Sequence, residues 1–325
     1  MYRVLANDGI DAEGKKILEE NGFQVDTVNV PQENLPEQID NYDVLLVRSA
    51  TKVRKDLIDT STRLKVIGRA GVGMDNIDVE YARSKGLKVI NTPEASSESV
   101  AELTISHLFS IVRFLYDSNR QMPGKGNSDF KGLKKSYSKG IELSGKTIGI
   151  IGLGRIGKAV AKRAIGLGMN VEAFKRNITE VNIELDFHEA LKKDPLIFNL
   201  KTKHFDEVLA ASDIVTLHVP GGDGVPLIDK HAIDKMKDGA ILINVARGGV
   251  VDEKALVEAL NSGKLSAAAL DVFDNEPSPS REILNHPKIS LSPHIGASTV
   301  EAQKRIGIEM AQKVINFFQT NETDL

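Results

Sequence analysis

The sequence Gly152-Leu153-Gly154-Arg155-Ile156-Gly157 directly follows the apolar run Thr147–Ile151. It opens a segment in which Ile156, Val160 and Ala164 recur at helical spacing. A glycine triplet between a strand and a helix constrains the backbone strongly. Gly152 permits the tight turn, Gly154 lets the backbone approach a pyrophosphate, and Gly157 lets the helix pack closely on the strand. The start of the helix then presents free N–H groups and the positive end of its dipole to an anion. The pattern predicts a dinucleotide-binding βαβ unit.

The same alternation runs along the chain. Short apolar runs at Val4–Ala6, Phe23–Val28, Val44–Val47, Leu64–Ile67 and Leu87–Ile90 alternate with helical segments at Asp11–Asn21 and Val79–Lys85. A second series of strands is expected at Thr147–Ile151, Val171–Phe174, Ile214–His218, Ala240–Val245, Ala267–Val272 and Ile289–Ser292. Between the two series, about Ser97 to Asn119, the residues Val100, Leu103, Thr104, His107, Leu108, Ile111 and Leu115 follow helical spacing. Strands alternating with helices imply parallel sheets covered on both faces. At 325 residues the chain is long for one such sheet, so the fold class expected is α/β with two doubly wound parallel-sheet domains. Two stretches break the pattern. Met122–Gly140, where Pro123 breaks the helical pattern, reads as an irregular excursion between domains or as a subunit contact. Asn177–Thr202 reads as an inserted hairpin or loop. A final helix is expected from Ser298, capped by Ser298 with Glu301, to about Phe318.

Composition narrows the function. With 42 basic and 45 acidic residues the net charge is −3, so no strong basic field recommends nucleic acid as a partner. Without cysteine there is no disulfide, thiolate nucleophile or Cys-based zinc site. This fits a reducing, cytoplasmic setting. No apolar run approaches the roughly 18 residues of a membrane span. The N-terminus lacks the charged and apolar regions of a signal peptide. No metal site is expected.

Three ionisable residues lie at strand ends of the second series: Arg247 in NVARGG, Glu276 in DVFDNEP, and His294 in SPHIGAST. In an open parallel sheet, ligands bind beyond the carboxyl ends of the strands. Oxidation of a 2-hydroxy acid needs a hydride acceptor, a base for the hydroxyl proton and a cation for the carboxylate. His294 can exchange the proton, Glu276 can orient and charge the imidazole, and Arg247 can bind the carboxylate in two-pronged fashion and polarise the carbonyl. NAD binders place an acid on the ribose roughly 20 residues beyond the glycines, but here Lys175 stands, followed by Arg176. The two cations would attract a 2′-phosphate, admitting NADP, or they are solvated surface charges.

These segments resemble the D-isomer-specific 2-hydroxyacid dehydrogenase family, and within it the phosphoglycerate dehydrogenase branch in its short form. The motifs are VRSAT (47–51), GRAGVGMDNID (68–78), NTP (91–93), SVAEL (99–103), GKTIGIIGLGRIG (145–157), SDIVTLHVP (212–220), NVARGGVVDE (244–253), AALDVFDNEP (268–277) and SPHIGAST (292–299). The resemblance implies a discontinuous, flavodoxin-like substrate domain, residues 1–99 and 292–325, with a Rossmann NAD(P)-binding domain, 100–291, inserted. It implies a cleft between the domains that closes on substrate. It makes Arg247, Glu276 and His294 the catalytic set. The cofactor residues it implies are Gly152, Gly154, Arg155, Ile156, Gly157, Lys175, His218, Val219, Pro220, Ala246, Asp271 and Gly296, with Asp271 on the nicotinamide carboxamide. The backbone of Gly71, Val72 and Gly73 would hold the substrate carboxylate.

Arg48 and Arg69 match arginines that face the substrate phosphate in that branch. An arginine at the end of each of two neighbouring strands is a reasonable clamp for a dianion, the alternative being two ion pairs that stabilise the domain. Arg120 is a weaker candidate, reaching a neighbouring subunit's site in a homodimer. The expected reaction is hydride transfer between D-3-phosphoglycerate and NAD, with NADP admitted by Lys175, giving 3-phosphohydroxypyruvate for serine synthesis. With no regulatory domain after the final helix, inhibition by serine through such a domain is not expected. The rival within the family is an NADPH-linked glyoxylate or hydroxypyruvate reductase. A rival from another class is a dinucleotide-sensing, corepressor-like binding protein.

Overall fold

The computed structural model describes residues 1–186, 193–222 and 224–322, with side chains to residue 320. It divides into two compact units: Met1–Ser99 with Ala297–Leu325, and Val100–Gly296. The second boundary falls after Gly296, whereas the sequence places it at Leu291. His294 and its flanking residues therefore group with the second unit.

In the first unit, β1 (Tyr2–Ala6), β2 (Phe23–Asp26), β3 (Val44–Val47), β4 (Val66–Arg69) and β5 (Lys88–Asn91) form one sheet in the order β2-β1-β3-β4-β5. All neighbours are parallel. This is the flavodoxin-like order, whose switch point lies between β1 and β3. Central β3 is apolar and buried at every position, as a strand covered on both faces must be. One face packs on Leu35, Ile39, Leu57 and Ile58. The other packs on the Val300–Glu322 helix through Met310, Val314 and Phe318. That helix also touches the Ala12–Glu20 helix backbone to backbone, since a Cβ on Gly14 would lie 2.5 Å from the Gly307 carbonyl oxygen. Its start is capped by the Thr299 hydroxyl, which accepts from the Ala302 amide at 3.2 Å, rather than by the expected Ser298.

In the second unit, β6 (Thr147–Ile151), β7 (Asn170–Phe174), β10 (Ile214–Leu217), β11 (Ala240–Asn244), β12 (Leu265–Leu270) and β13 (Ile289–Leu291) form a parallel sheet in the order β13-β12-β11-β10-β6-β7. Its switch point lies between β6 and β10. β8 (Glu180–Leu185) and β9 (Leu196–Lys201) make a separate antiparallel hairpin. Val181, Ile183, Leu185 and Leu200 bury one side of the hairpin in the same core cluster as Val160 and Ala164 of the Arg155–Gly166 helix. The unexplained stretch 177–202 is therefore a hairpin where it is described, and residues 187–192 lie outside the described residues.

The expectation for 97–140 needs correction. The Ser97–Val112 helix stops short of Asn119, because Phe114 adopts a left-handed conformation (φ 57°). That conformation breaks the hydrogen-bond ladder, as at a helix C-terminus. The Phe114 ring lies 6.0 Å from that of Tyr137. The supposed irregular excursion then contains two helices, Leu115–Lys125 and Phe130–Ser136. Pro123 did not preclude the first, because it falls in the last turn, where one lost donor ends little.

Candidate active site

At the β6–β10 switch point the glycine turn is built as the spacing requires. Gly152 has φ 101°, and a Cβ on it would lie 2.5 Å from the His218 carbonyl oxygen, so the loops after β6 and β10 touch through backbone. A Cβ on Gly157 would lie 2.2 Å from the Gly152 carbonyl oxygen, so the helix is tight on its strand. A Cβ on Gly154 would meet nothing within 4 Å. Two glycines are thus required by the protein's own packing, while the third leaves open space at the N-cap of the Arg155–Gly166 helix. This cradle fits a pyrophosphate: bare backbone, outward N–H groups and a favourable dipole.

Around it the other sequence candidates take their places. Lys175 and Arg176 are exposed just past β7. His218 follows β10, with Val219 and exposed Pro220 next to it. The Nε2 of His218 is 3.0 Å from the Thr216 hydroxyl, and its Nδ1 is shielded from water with no hydrogen-bond partner among the described residues. Burial pushes this imidazole down to about 3, so it is neutral at physiological pH.

The loops after β11 and β12 are locked together. Gly248 has no room for a side chain, since a Cβ would lie 1.9 Å from the Phe273 carbonyl oxygen. The Gly249 amide donates to Asp274 at 2.7 Å. Asn244 pins the intervening turn, accepting from the Ala246 amide at 3.0 Å and donating to the Arg247 carbonyl at 2.9 Å. Arg247, half-buried, donates to the Ala246 carbonyl at 2.6 Å.

His294 and Glu276 are brought together. Nδ1 of His294 is 2.7 Å from Oε2 of Glu276, and Oε1 of the same carboxyl accepts from the Phe273 amide at 3.0 Å. A carboxylate only accepts, so Nδ1 carries the imidazole proton and Nε2 is left to exchange one. Both side chains keep about a third of their surface in water, at 40% and 35%. Beside them is a cavity of about 420 Å³ walled by Phe273, Pro277, Pro279, Leu284, Leu291 and Pro293.

Asp271, expected on the nicotinamide carboxamide, is held by donors from within its own unit. It is 1% exposed, and its oxygens are engaged by the protein itself. Oδ1 accepts from the Ser292 hydroxyl at 2.6 Å and the Ile295 amide at 2.9 Å, and Oδ2 accepts from the Gly296 amide at 2.9 Å. These three donors flank His294, which has φ 53°. A left-handed non-glycine residue costs of order 1–3 kcal/mol. Hydrogen bonds to a charged acceptor contribute about 1.5–3 kcal/mol each, so the Asp271 contacts outweigh the strain and hold the histidine in its turn.

In the first unit, Val47 of β3 and Arg69 of β4 are register partners, so Arg48 and Arg69 leave adjacent strand ends. The Arg69 guanidinium folds over Gly71, where a Cβ would lie 1.5 Å from its Nη1. Gly71 has φ 141°, and the Asn91 side chain donates to the Val72 carbonyl at 2.7 Å. Sequence reasoning missed Asp8, which accepts from the Arg48 amide at 2.7 Å and the Thr51 hydroxyl at 2.6 Å, and Asn76, which donates to the Arg48 carbonyl at 2.9 Å. Together they fix the loop that carries Arg48. An Asp directly past a strand at a switch point was the available signal. No group of three or more metal-ligating side chains occurs among the described residues, and no described helix is long and apolar enough to cross a membrane.

Residues 105–296 match the D-isomer specific 2-hydroxyacid dehydrogenase, NAD binding domain. The chain belongs to this family. It is 41% identical to the hydroxypyruvate reductase of Thermotoga maritima, over 96% of this chain and 97% of that protein. It is 39% identical to the D-3-phosphoglycerate dehydrogenase of Bacillus subtilis, over 98% of this chain but 57% of that longer protein. Among solved structures it resembles an NADPH-dependent glyoxylate/hydroxypyruvate reductase from Sinorhizobium meliloti in complex with NADP and malonate, with a TM-score of 0.79 and 26% identity over 98% of this chain and 94% of that one. It equally resembles an NAD+-bound 3-phosphoglycerate dehydrogenase from Entamoeba histolytica, with a TM-score of 0.78 and 27% identity over 98% and 96% of the two chains. Family membership makes the chain an oxidoreductase of the D-2-hydroxyacid class that uses a nicotinamide cofactor.

Proposed function

We propose that this enzyme interconverts D-3-phosphoglycerate and 3-phosphohydroxypyruvate, the redox step that opens serine synthesis. The observation that carries the choice of substrate is the pair Arg48 and Arg69 at adjacent strand ends, with Asp8 and Asn76 holding the Arg48 loop. Two guanidinium groups suit a phosphate dianion. The bound nicotinamide supplies or accepts the hydride. His294 exchanges the hydroxyl proton through Nε2, Glu276 fixes its tautomer, and Arg247 binds the carboxylate and polarises the carbonyl. The Gly71–Gly73 backbone assists at the carboxylate. Gly152, Gly154, Arg155, Ile156 and Gly157 cradle the pyrophosphate. His218, Val219, Pro220, Ala246 and Gly296 line the rest of the cofactor path.

Lys175 and Arg176 place two cations where an NAD-selective site has an acid, so NADP is accepted alongside NAD. They also favour a second reading, a glyoxylate or hydroxypyruvate reductase using NADPH, in line with the similarity to the hydroxypyruvate reductase of Thermotoga maritima and to the NADPH-dependent reductase of Sinorhizobium meliloti. Initial rates with NADH or NADPH against 3-phosphohydroxypyruvate, hydroxypyruvate and glyoxylate separate the two. Preference for the phosphorylated acid supports the first reading, and preference for the unphosphorylated acids with NADPH replaces it by the second. We also propose a cytoplasmic homodimer. Phe109, Leu115, Met122, Phe130 and Ile141 all expose apolar surface on one segment, which suits a subunit contact. Sedimentation as a monomer at micromolar concentration would contradict it.

A further inference from the structure

His107 lies on the Ser97–Val112 helix and is 5% exposed. Its Nε2 is 2.8 Å from the hydroxyl of Ser292, and its Nδ1 is 3.0 Å from the hydroxyl of Ser290. The direction of these bonds can be worked out. Ser292 must spend its one proton on Asp271, because a carboxylate only accepts. Ser292 therefore has only lone pairs left for His107, so Nε2 is the donor. In a neutral imidazole Nδ1 is then the acceptor, and Ser290 donates to it. Burial lowers the pKa of His107, with the Asp271 charge opposing, so the neutral form is the relevant one. A single ordered chain runs Ser290 to His107 to Ser292 to Asp271. Asp271 in turn holds the amides of Ile295 and Gly296 on the far side of His294.

We infer that His107 is a positioning residue for His294: as the Nε2–H tautomer it fixes the Ser292 hydroxyl on Asp271 and so holds the left-handed turn that aims the imidazole at substrate. Its kinetic consequence rests on the dehydrogenase reading, whereas its tautomer does not. A purely apolar side chain at residue 107 would fill the same space and leave Ser292 free to turn its proton elsewhere.

The test has two arms on the full-length protein. In the first, the ring nitrogens are observed by 15N NMR in histidine-labelled enzyme, and His107 is assigned by the signal lost in His107→Gln. A protonated Nε2 and a bare Nδ1 between about pH 6 and 8 are expected. The Nε2 preference should weaken in Ser292→Ala. A dominant Nδ1–H tautomer in the wild type would overturn the inference.

In the second arm, His107→Leu should lower kcat by about tenfold with the cofactor KM within about twofold, and should raise the primary deuterium isotope effect from deuterated nicotinamide. His107→Gln, whose amide can still donate to Ser292, should recover kcat to within about threefold of wild type. If Leu and Gln behave alike, or the isotope effect does not move, the positioning role is lost and His107 is packing alone. If the wild type reduces no 2-oxo acid, the functional reading fails, and the NMR arm still decides the tautomer.

Discussion

His294 and Glu276 form a 2.7 Å pair in which the second carboxyl oxygen is already taken by the Phe273 amide. The glutamate therefore has one oxygen in a fixed direction for the imidazole, and the histidine has one free nitrogen. Replacing His294 by Ala should lower kcat by about 10²–10⁴. Glu276→Gln should lower it by at least about tenfold while leaving the cofactor KM near wild type. Steady-state kinetics with saturating cofactor check both, and a Glu276→Gln enzyme of normal kcat would remove the glutamate from the mechanism.

Gly152 and Gly154 should separate packing from binding. Gly152→Ala must move backbone and adopt a strained φ, so a loss of at least about 1 kcal/mol in stability is expected. Gly154→Ala has room, so its melting temperature should stay near wild type. Its methyl group would stand where the pyrophosphate approaches, raising the cofactor KM by at least about tenfold. Calorimetry and cofactor titration on the same two proteins test this.

Arg69→Glu should act on substrate choice. Its charge reversal is expected to raise the KM for 3-phosphohydroxypyruvate by at least about tenfold more than that for glyoxylate. Equal losses on the two acids would return Arg69 to a structural task at Gly71, over which its guanidinium lies.

Acid should destabilise the fold through two imidazoles, buried His107 and half-buried His218. His107 and His218 are held below the ordinary histidine value by burial. In the unfolded chain they bind protons near pH 6.5, while in the native state His218 does so only at about 3. The unfolded state thus holds more protons, and stability falls as pH drops below about 6.5. Urea midpoints between pH 7.5 and 5 measure the slope, which should be shallower in His218→Leu. An unchanged slope would mean that His218 is accessible to protons in the folded protein.

Much of this was legible in local sequence. The strand–glycine–helix unit needs neighbours only a few residues apart, and His294 and Glu276 are separated by one short connection past adjacent strands. What was misread depends on distance along the chain. His107 fits the apolar periodicity of its helix, and nothing nearby reveals that its partners lie 183 and 185 residues away. The three donors on Asp271 come from another loop, so its hold on the His294 turn is not visible beside it in the sequence. The helix at Leu115–Lys125 was overlooked because a proline was weighed without its position in the last turn.

The Val300–Glu322 helix shares one face of the first sheet with Leu18 of the Ala12–Glu20 helix, yet it lies later in the chain than all of the second unit. During synthesis on the ribosome, β1 to β5 therefore emerge with Val4, Leu46 and Val66 exposed on that face and must wait through nearly two hundred residues for Met310, Val314 and Phe318. The second unit, whose residues are continuous from Val100 to Gly296, can close first. A nascent chain of this protein is thus vulnerable at its oldest end, where a chaperone would find an uncovered apolar sheet until translation is nearly over.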